Sequence, residues 1–338
     1  MNRLLILLAF SACLLIPTTS ARGQTSIPLN VDGLNRRYLV HLPSGFDPSE
    51  KLPVMMWFHG GGGNANGGVF EADFRSLANL EQFIVVYAEA WPDVLESCRC
   101  WGYDLGQGET NGNYEIDLAY TSAMIDDVVE RYNADRRRIY AGGYSMGASF
   151  AWDLACAKSD EISAIAPVAA SMYRATYDDC EAGLPTAVCH ILGTQDFYAP
   201  YNGASWVPSV ADQNAFWVNK NQTELKPEVV SLGGGVTRYT WGPAEGCHGV
   251  QHFRRQGGGH DVPAFATSSI WDYVSQFDID GLIGCGDAFL PGDLNQDGSV
   301  NSADIGLLIA AWGTAIADLN GDGTTDSADL GVLISNWG

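Results

Sequence analysis

Arg138-Ile139-Tyr140-Ala141 reads as a short buried strand and runs directly into Gly142-Gly143-Tyr144-Ser145-Met146-Gly147, after which residues 148–156 have helical composition. A strand that becomes a helix within so few residues needs a tight turn, and the flanking glycines at 143 and 147 permit it. Such a turn holds the serine exposed and strained, with the first N–H groups of the helix beneath it. It also dictates its surroundings, because a strand feeding a helix packs back beside parallel neighbours. Buried-strand runs at 37–42, 54–58, 83–88, 138–141, 164–169 and 187–192 alternate with helical patterns at 71–79, 116–131, 147–158 and 264–276. The expected fold is therefore α/β, a mostly parallel sheet with helices on both faces. Residues 25–42 read instead as an antiparallel start turned at Asp32-Gly33.

A serine hydroxyl is a weak nucleophile and needs a base, which in turn needs an orienting carboxylate. In this architecture the chain order is Ser, then Asp or Glu, then His. The strand at 187–192 runs into Gly193-Thr194-Gln195-Asp196, placing Asp196 at a strand end, and Gly257-Gly258-Gly259-His260 puts a histidine on a loop before the last helix. Asp212 and Asp261 are alternative acids; His248 and His252, beside an expected strand near Cys247, are alternative bases. His41 and His59 precede the serine, and His190 lies within a strand. Oxyanion donors are expected from the N–H of Met146 and of Gly60 or Gly61, in the run Trp57-Phe58-His59-Gly60-Gly61-Gly62-Gly63. That loop is not basic and is followed by no Gly-Lys-Ser/Thr, which excludes a phosphate cradle of the P-loop kind. The segment from Trp91 to Tyr114 carries Trp101 and Tyr103, whose rings either line the cleft or pack on the domain.

The ends of the chain speak of compartment and partner. Asn2-Arg3, an apolar run over 4–16 and Thr19-Ser20-Ala21 read as a secretory signal peptide cleaved after Ala21 or Gly23, and the run is too short to span a bilayer. Seven cysteines follow Cys13 (98, 100, 156, 180, 189, 247 and 285), so export predicts disulfides with at least one thiol left over. Forty acidic residues against eighteen basic give a net charge of −22, which disfavours nucleic acid and anionic membranes and invites a cation.

The tail concentrates that charge. Residues 285–338 hold eight Asp and no Lys, Arg or Glu, and Asp293-Leu294-Asn295-Gln296-Asp297-Gly298 recurs 25 residues later as Asp318-Leu319-Asn320-Gly321-Asp322-Gly323. Each copy fills the oxygen-ligand pattern of a twelve-residue calcium loop. The first would use Asp293, Asn295, Asp297, the Ser299 carbonyl, Asn301 and Asp304; the second Asp318, Asn320, Asp322, the Thr324 carbonyl, Asp326 and Asp329. Each loop opens a short helix, so the tail is expected to be a small all-α unit binding two structural Ca²⁺ ions and folding only with them. The expected organisation is a signal peptide over 1–23, a large domain over 24–284 and the tail domain over 287–338.

These motifs, in this order, resemble the secreted α/β-hydrolases of the feruloyl esterase and polyhydroxybutyrate depolymerase group, carbohydrate esterase family one. The resemblance spans most of residues 30–275. It rests on His59-Gly60-Gly61-Gly62, Leu77-Ala78 before residues 83–87, Tyr132-Asn133-Ala134-Asp135, Gly143-Tyr144-Ser145-Met146-Gly147, Gly193-Thr194-Gln195-Asp196 and Gly258-Gly259-His260. It implies ester hydrolysis through an acyl-enzyme, with Ser145 as nucleophile, Asp196 as orienter, His260 as acid and base, and no cofactor for catalysis. Two departures stand out: Asp261-Val262-Pro263-Ala264 where the family has an aromatic and Pro-Gly, and Ala88 where it tends to place Pro. The tail resembles a type I dockerin, with Ser302-Ala303 and Ser327-Ala328 at its partner-contact positions but without the usual basic residues, which implies calcium more firmly than a cohesin partner. Three functions are thus in view. The chain is a secreted esterase for feruloyl or acetyl groups on polysaccharide, a polyester depolymerase, or an inactive binding protein.

Overall fold

The computed structural model describes residues 24–92, 98–106, 109–110, 113–180, 183–244, 246–285, 292–295, 299–320 and 322–337. The signal peptide reading of residues 1–23 lies outside them.

The strands in chain order are β1 (Thr25–Val31), β2 (Leu34–His41), β3 (Val54–Phe58), β4 (Ile84–Ala88), β5 (Asp104–Gly106), β6 (Glu109–Thr110), β7 (Ile139–Tyr144), β8 (Ala164–Val168), β9 (Ala187–Gly193), β10 (Glu228–Gly233), β11 (Val236–Trp241), β12 (Val250–Arg255), β13 (Phe277–Asp278) and β14 (Gly281–Leu282). The helices are α1 (Ala65–Glu71), α2 (Arg75–Glu81), α3 (Tyr114–Tyr132), α4 (Met146–Ala157), α5 (Arg174–Asp179), α6 (Val210–Lys220), α7 (Ala266–Val274), α8 (Ser302–Ala310) and α9 (Ser327–Ser335).

Ten strands form one sheet in the order β1-β2-β4-β3-β7-β8-β9-β12-β11-β10. The centre, from β4 through β12, is parallel, and both ends are antiparallel. The α/β expectation is met. The first hairpin turns at Asp32 (φ 52°) and Gly33 (φ 83°), the left-handed pair that a two-residue turn needs. Central strands bury both faces. In β3, Val54, Met56 and Phe58 join a core with residues of α3, α4 and α6, while Met55 and Trp57 join another with residues of α1, α2 and α7.

Three expectations change. The helix expected over 71–79 is two helices, α1 and α2, because Ala72 is extended (φ −147°, ψ 94°) and ends the first. Helices α5 and α6 were not anticipated, nor were β10 and β11. The strand near Cys247 is β12, which places His252 inside it rather than beside it. Among the described residues, cysteines pair as 98–100, 156–180 and 247–285, leaving Cys189 buried as the free thiol, its pKa pushed up by burial. Helices α8 and α9 share a small core of their own around Val300, Leu308 and Leu333. Among the described residues, no helix is long and apolar enough to cross a membrane.

Candidate active site

Ser145 sits between β7 and α4 at φ 53° and ψ −119°, a conformation a side chain occupies only under constraint. The constraint is steric. A Cβ on Gly143 would lie 2.5 Å from the Gly147 carbonyl, and one on Gly147 would run into the backbone carbonyl of Phe58 in β3. The glycines let helix α4 start directly against the strand beside it.

Two loops bring the partners. His260 Nε2 is 2.8 Å from Ser145 Oγ, and His260 Nδ1 is 3.0 and 2.9 Å from the two carboxylate oxygens of Asp196. Asp196 is buried, and its Oδ1 accepts the N–H groups of Tyr198 and Ala199, both at 2.9 Å. The acid loop and the histidine loop are sewn together by Thr194 N–H to Arg255 O, Gln195 N–H to Gly258 O and Gly257 N–H to the Thr194 hydroxyl. Asp261 is paired through both oxygens with Arg255, so the departure from the family pattern braces the histidine loop. Tyr198 and Tyr144 flank the imidazole at centroid distances of 4.8 and 5.1 Å.

The alternatives are occupied elsewhere. Asp212 takes the Ser209 hydroxyl at the start of α6. His252 is bonded to the Tyr201 hydroxyl, and His248 is buried. His190 meets the Ala170 carbonyl and His41 the Asn79 amide. His59 is wholly buried; its Nε2 accepts the Ala90 N–H and its Nδ1 meets the Gly60 carbonyl, so burial keeps it neutral and structural.

One oxyanion expectation is corrected. The Gly60 N–H donates to Glu71 Oε1 at 3.0 Å, so it is turned away from the serine. The N–H groups of Gly61 and Met146 have no protein acceptor among the described residues. The Gly61 Cα faces the Met146 side chain across 3.6–3.7 Å from a built Cβ. Glu71 also accepts the indole N–H of the wholly buried Trp57, and burial raises its carboxyl pKa. Nothing in the sequence marks Glu71, since its role depends on the return of α1 beneath the loop. Trp101 settles as packing: it is buried, stacks on Phe150 at 5.2 Å and donates to the His59 carbonyl. Tyr103 packs against Tyr173 at 5.2 Å.

In the tail, Asp304 and Asp329 are buried and each closes its loop. Asp304 accepts the N–H groups of Leu294, Asn295 and Asn301, and Asp329 those of Leu319, Asn320 and Asp326. Asn301 and Asp326 cap α8 and α9. Around Asp318 the second loop curls tightly: its oxygens accept from Asp322 and Gly323, while the Asn320 amide reaches Asp322. Asp297 lies outside the described residues. Asp293, Asn295, Ser299 and Thr324 fall at loop positions 1, 3, 7 and 7 of their repeats. Among the described residues, no three His, Cys, Asp or Glu side chains close on one point. The donor set is nonetheless all hard oxygen, which suits Ca²⁺.

Residues 36–177 match the family described as Esterase PHB depolymerase, and residues 291–336 match the Dockerin type I domain, a calcium-binding type. A bifunctional acetylxylan esterase/xylanase of Neocallimastix patriciarum is 27% identical over 74% of this chain and 35% of its own length. Feruloyl esterase B of Piromyces equi is 26% identical over 72% and 46%, so the chain spans less than half of either. Feruloyl esterase C of Emericella nidulans is 26% identical over 78% of this chain and 92% of its own. An acetyl xylan esterase from Aspergillus awamori shares the fold with a TM-score of 0.57 at 14% identity, over 75% of this chain and 99% of that one. By these matches residues 36–177 are similar to the Esterase PHB depolymerase family, and residues 291–336 to the type I dockerin domain.

Proposed function

We propose that this chain is an exported serine carboxylic ester hydrolase that removes feruloyl or acetyl groups from polysaccharides. The observation that carries the reading is His260 bridging Ser145 Oγ and the Asp196 carboxylate through its two ring nitrogens. Ser145 Oγ attacks the ester carbonyl while His260 Nε2 takes its proton, and Asp196 stabilises the imidazolium. The N–H groups of Gly61 and Met146 receive the oxyanion. His260 then gives its proton to the departing alcohol, leaving an acyl-Ser145 ester. Water, deprotonated by the same imidazole, releases the acid and restores the serine. The relatives named for acetylxylan and feruloyl esters support the substrate class. So do Tyr198, 68% exposed beside the imidazole, and Phe197, 86% exposed and edge-on to Tyr198, which offer aromatic contact to a phenolic acyl group or a sugar ring.

The tail, on this reading, holds two structural Ca²⁺ ions through Asp293, Asn295, Asp297, Ser299, Asn301 and Asp304, and through Asp318, Asn320, Asp322, Thr324, Asp326 and Asp329. Calcium there neutralises clustered carboxylates and supports folding. The exposed pairs Ile309/Trp312 and Ile334/Trp337, repeated at the C-terminal ends of the two helices, support docking to a cohesin-like partner through apolar contact.

The test is hydrolysis of methyl ferulate, acetylated xylan and polyhydroxybutyrate oligomers by wild type and Ser145→Ala. Turnover of the first or second, lost in the variant, is expected. Release of hydroxybutyrate alone would replace the reading with polyester depolymerisation, and silence on all three together with nitrophenyl acetate would replace it with a binding protein.

A further inference from the structure

Between α6 and the antiparallel strands β11 and β12 lies a cavity of about 540 Å³ that ester hydrolysis at Ser145 does not use. Its volume falls in the range of small-ligand sites. One wall is aromatic. Tyr239 and Trp241, two residues apart on β11, face the same side, and their rings stack near-parallel with centroids 6.2 Å apart and an interplanar angle of 22°. The opposite wall, on α6, presents Asn214 and Asn219, whose side-chain amides have no protein partner among the described residues. Tyr201 and buried His252 complete the lining, joined hydroxyl to Nε2 at 2.8 Å. Burial holds His252 neutral, and no charged side chain lines the cavity among the described residues.

This chemistry narrows the occupant. Without a cationic side chain the cavity has no partner for phosphate or carboxylate, and without an anionic one it has none for a cation. A wholly apolar ligand would make no use of the two amides. A pair of aromatic rings opposite amides and a fixed hydroxyl suits a neutral ring with one C–H face and several hydroxyl groups, which is a sugar. We propose that this cavity is a second carbohydrate-binding site, which holds an unesterified stretch of glycan while the triad works on an ester elsewhere. Tyr201 lies on the loop that carries Asp196, so the site adjoins the acid of the triad in the chain. The inference deepens the polysaccharide reading but does not require Ser145 to act.

The experiment uses the full chain with Ser145→Ala, titrated calorimetrically with xylohexaose and, separately, cellohexaose, neither of which bears an ester. Saturable binding of either is expected, weakened about tenfold by adding Trp241→Ala and about fivefold by adding Asn214→Ala, with Trp241→Phe close to the parent. In the Ser145 chain, Trp241→Ala is expected to leave nitrophenyl acetate hydrolysis unchanged while raising KM on acetylated xylan. Absence of binding by the folded parent, or binding indifferent to Trp241→Ala, would overturn the site. Glycan binding without any esterase activity in the Ser145 chain would refute the hydrolase reading and leave this one standing.

Discussion

Glu71→Gln asks whether the oxyanion loop is set by a single carboxylate. Glu71 receives two buried N–H donors at once, Gly60 at 3.0 Å on Oε1 and the Trp57 indole at 3.2 Å on Oε2. Glutamine offers one oxygen and one NH₂, so whichever way the amide lies, one donor meets another donor. Leaving a buried donor unpaired costs about 1–3 kcal/mol. At roughly 2–4 °C per kcal/mol for a domain of this size, the melting temperature should fall by several degrees. The kinetic effect is separate. Complete loss of an oxyanion donor costs about 10²–10³ in kcat. Gly62 N–H still binds the Arg99 carbonyl and Gly63 N–H the Gly60 carbonyl, so the loop shifts only in part. The expected loss is therefore about tenfold in kcat, with KM little changed because the shift is felt where negative charge develops. Steady-state hydrolysis of nitrophenyl acetate and a thermal melt, run on the same preparation, give both numbers. A lowered melt with kcat within twofold of wild type would refute the reasoning and reduce Glu71 to a structural acid.

Three further outcomes are expected. Gly147→Ala, whose methyl would strike the Phe58 carbonyl, should destabilise by about 3 kcal/mol and abolish activity, whereas Gly61→Ala, facing only the Met146 side chain at 3.6 Å, should keep the fold in circular dichroism. Asp153 is buried, accepts the Thr176 hydroxyl on one oxygen and finds no partner for the other among the described residues, and burial lifts its pKa well above the ordinary carboxylate value. The folded chain thus keeps a proton that the unfolded chain has released, so stability drops as pH rises above the ordinary carboxylate value until the folded carboxyl ionises. Asp153→Asn should remove that slope, and urea denaturation at pH 4 and pH 7 should show the variant gaining on wild type at the higher pH. Chelating Ca²⁺ from the full chain should speed amide exchange across α8 and α9 while hydrolysis of nitrophenyl acetate persists; exchange unchanged by the chelator would refute calcium-dependent folding.

What could be read in advance was what is decided locally or by strict alternation. The turn at Ser145 declares itself because only glycine fits at 143 and 147, and the central strands are unbroken apolar runs because both faces are covered. Asp196 and His260 follow from chain order and strand ends. The outer strands hid because β10 is largely exposed and every residue of β11 is half-buried, so neither shows an apolar alternation. The split of α1 from α2 depends on a single extended residue, Ala72, with no glycine or proline to announce it. The direction of the Gly60 N–H was illegible for another reason: it depends on a carboxylate eleven residues away that only the folded chain brings near.

The stitching of the acid and histidine loops has a consequence for how such a site can vary. A Cβ on Gly193 would run into the Gly258 carbonyl, and backbone bonds join Gln195 to Gly258 and Thr194 to Arg255. The two loops are in effect one ribbon, and lengthening either would part Asp196 from His260. Novelty in the shape of the bound ester must therefore enter through segments that carry no triad member. The stretch between β4 and α3, pinned by Gly62 N–H to the Arg99 carbonyl and by Trp101 beneath it, is where added residues could reshape the entrance without disturbing the proton's path.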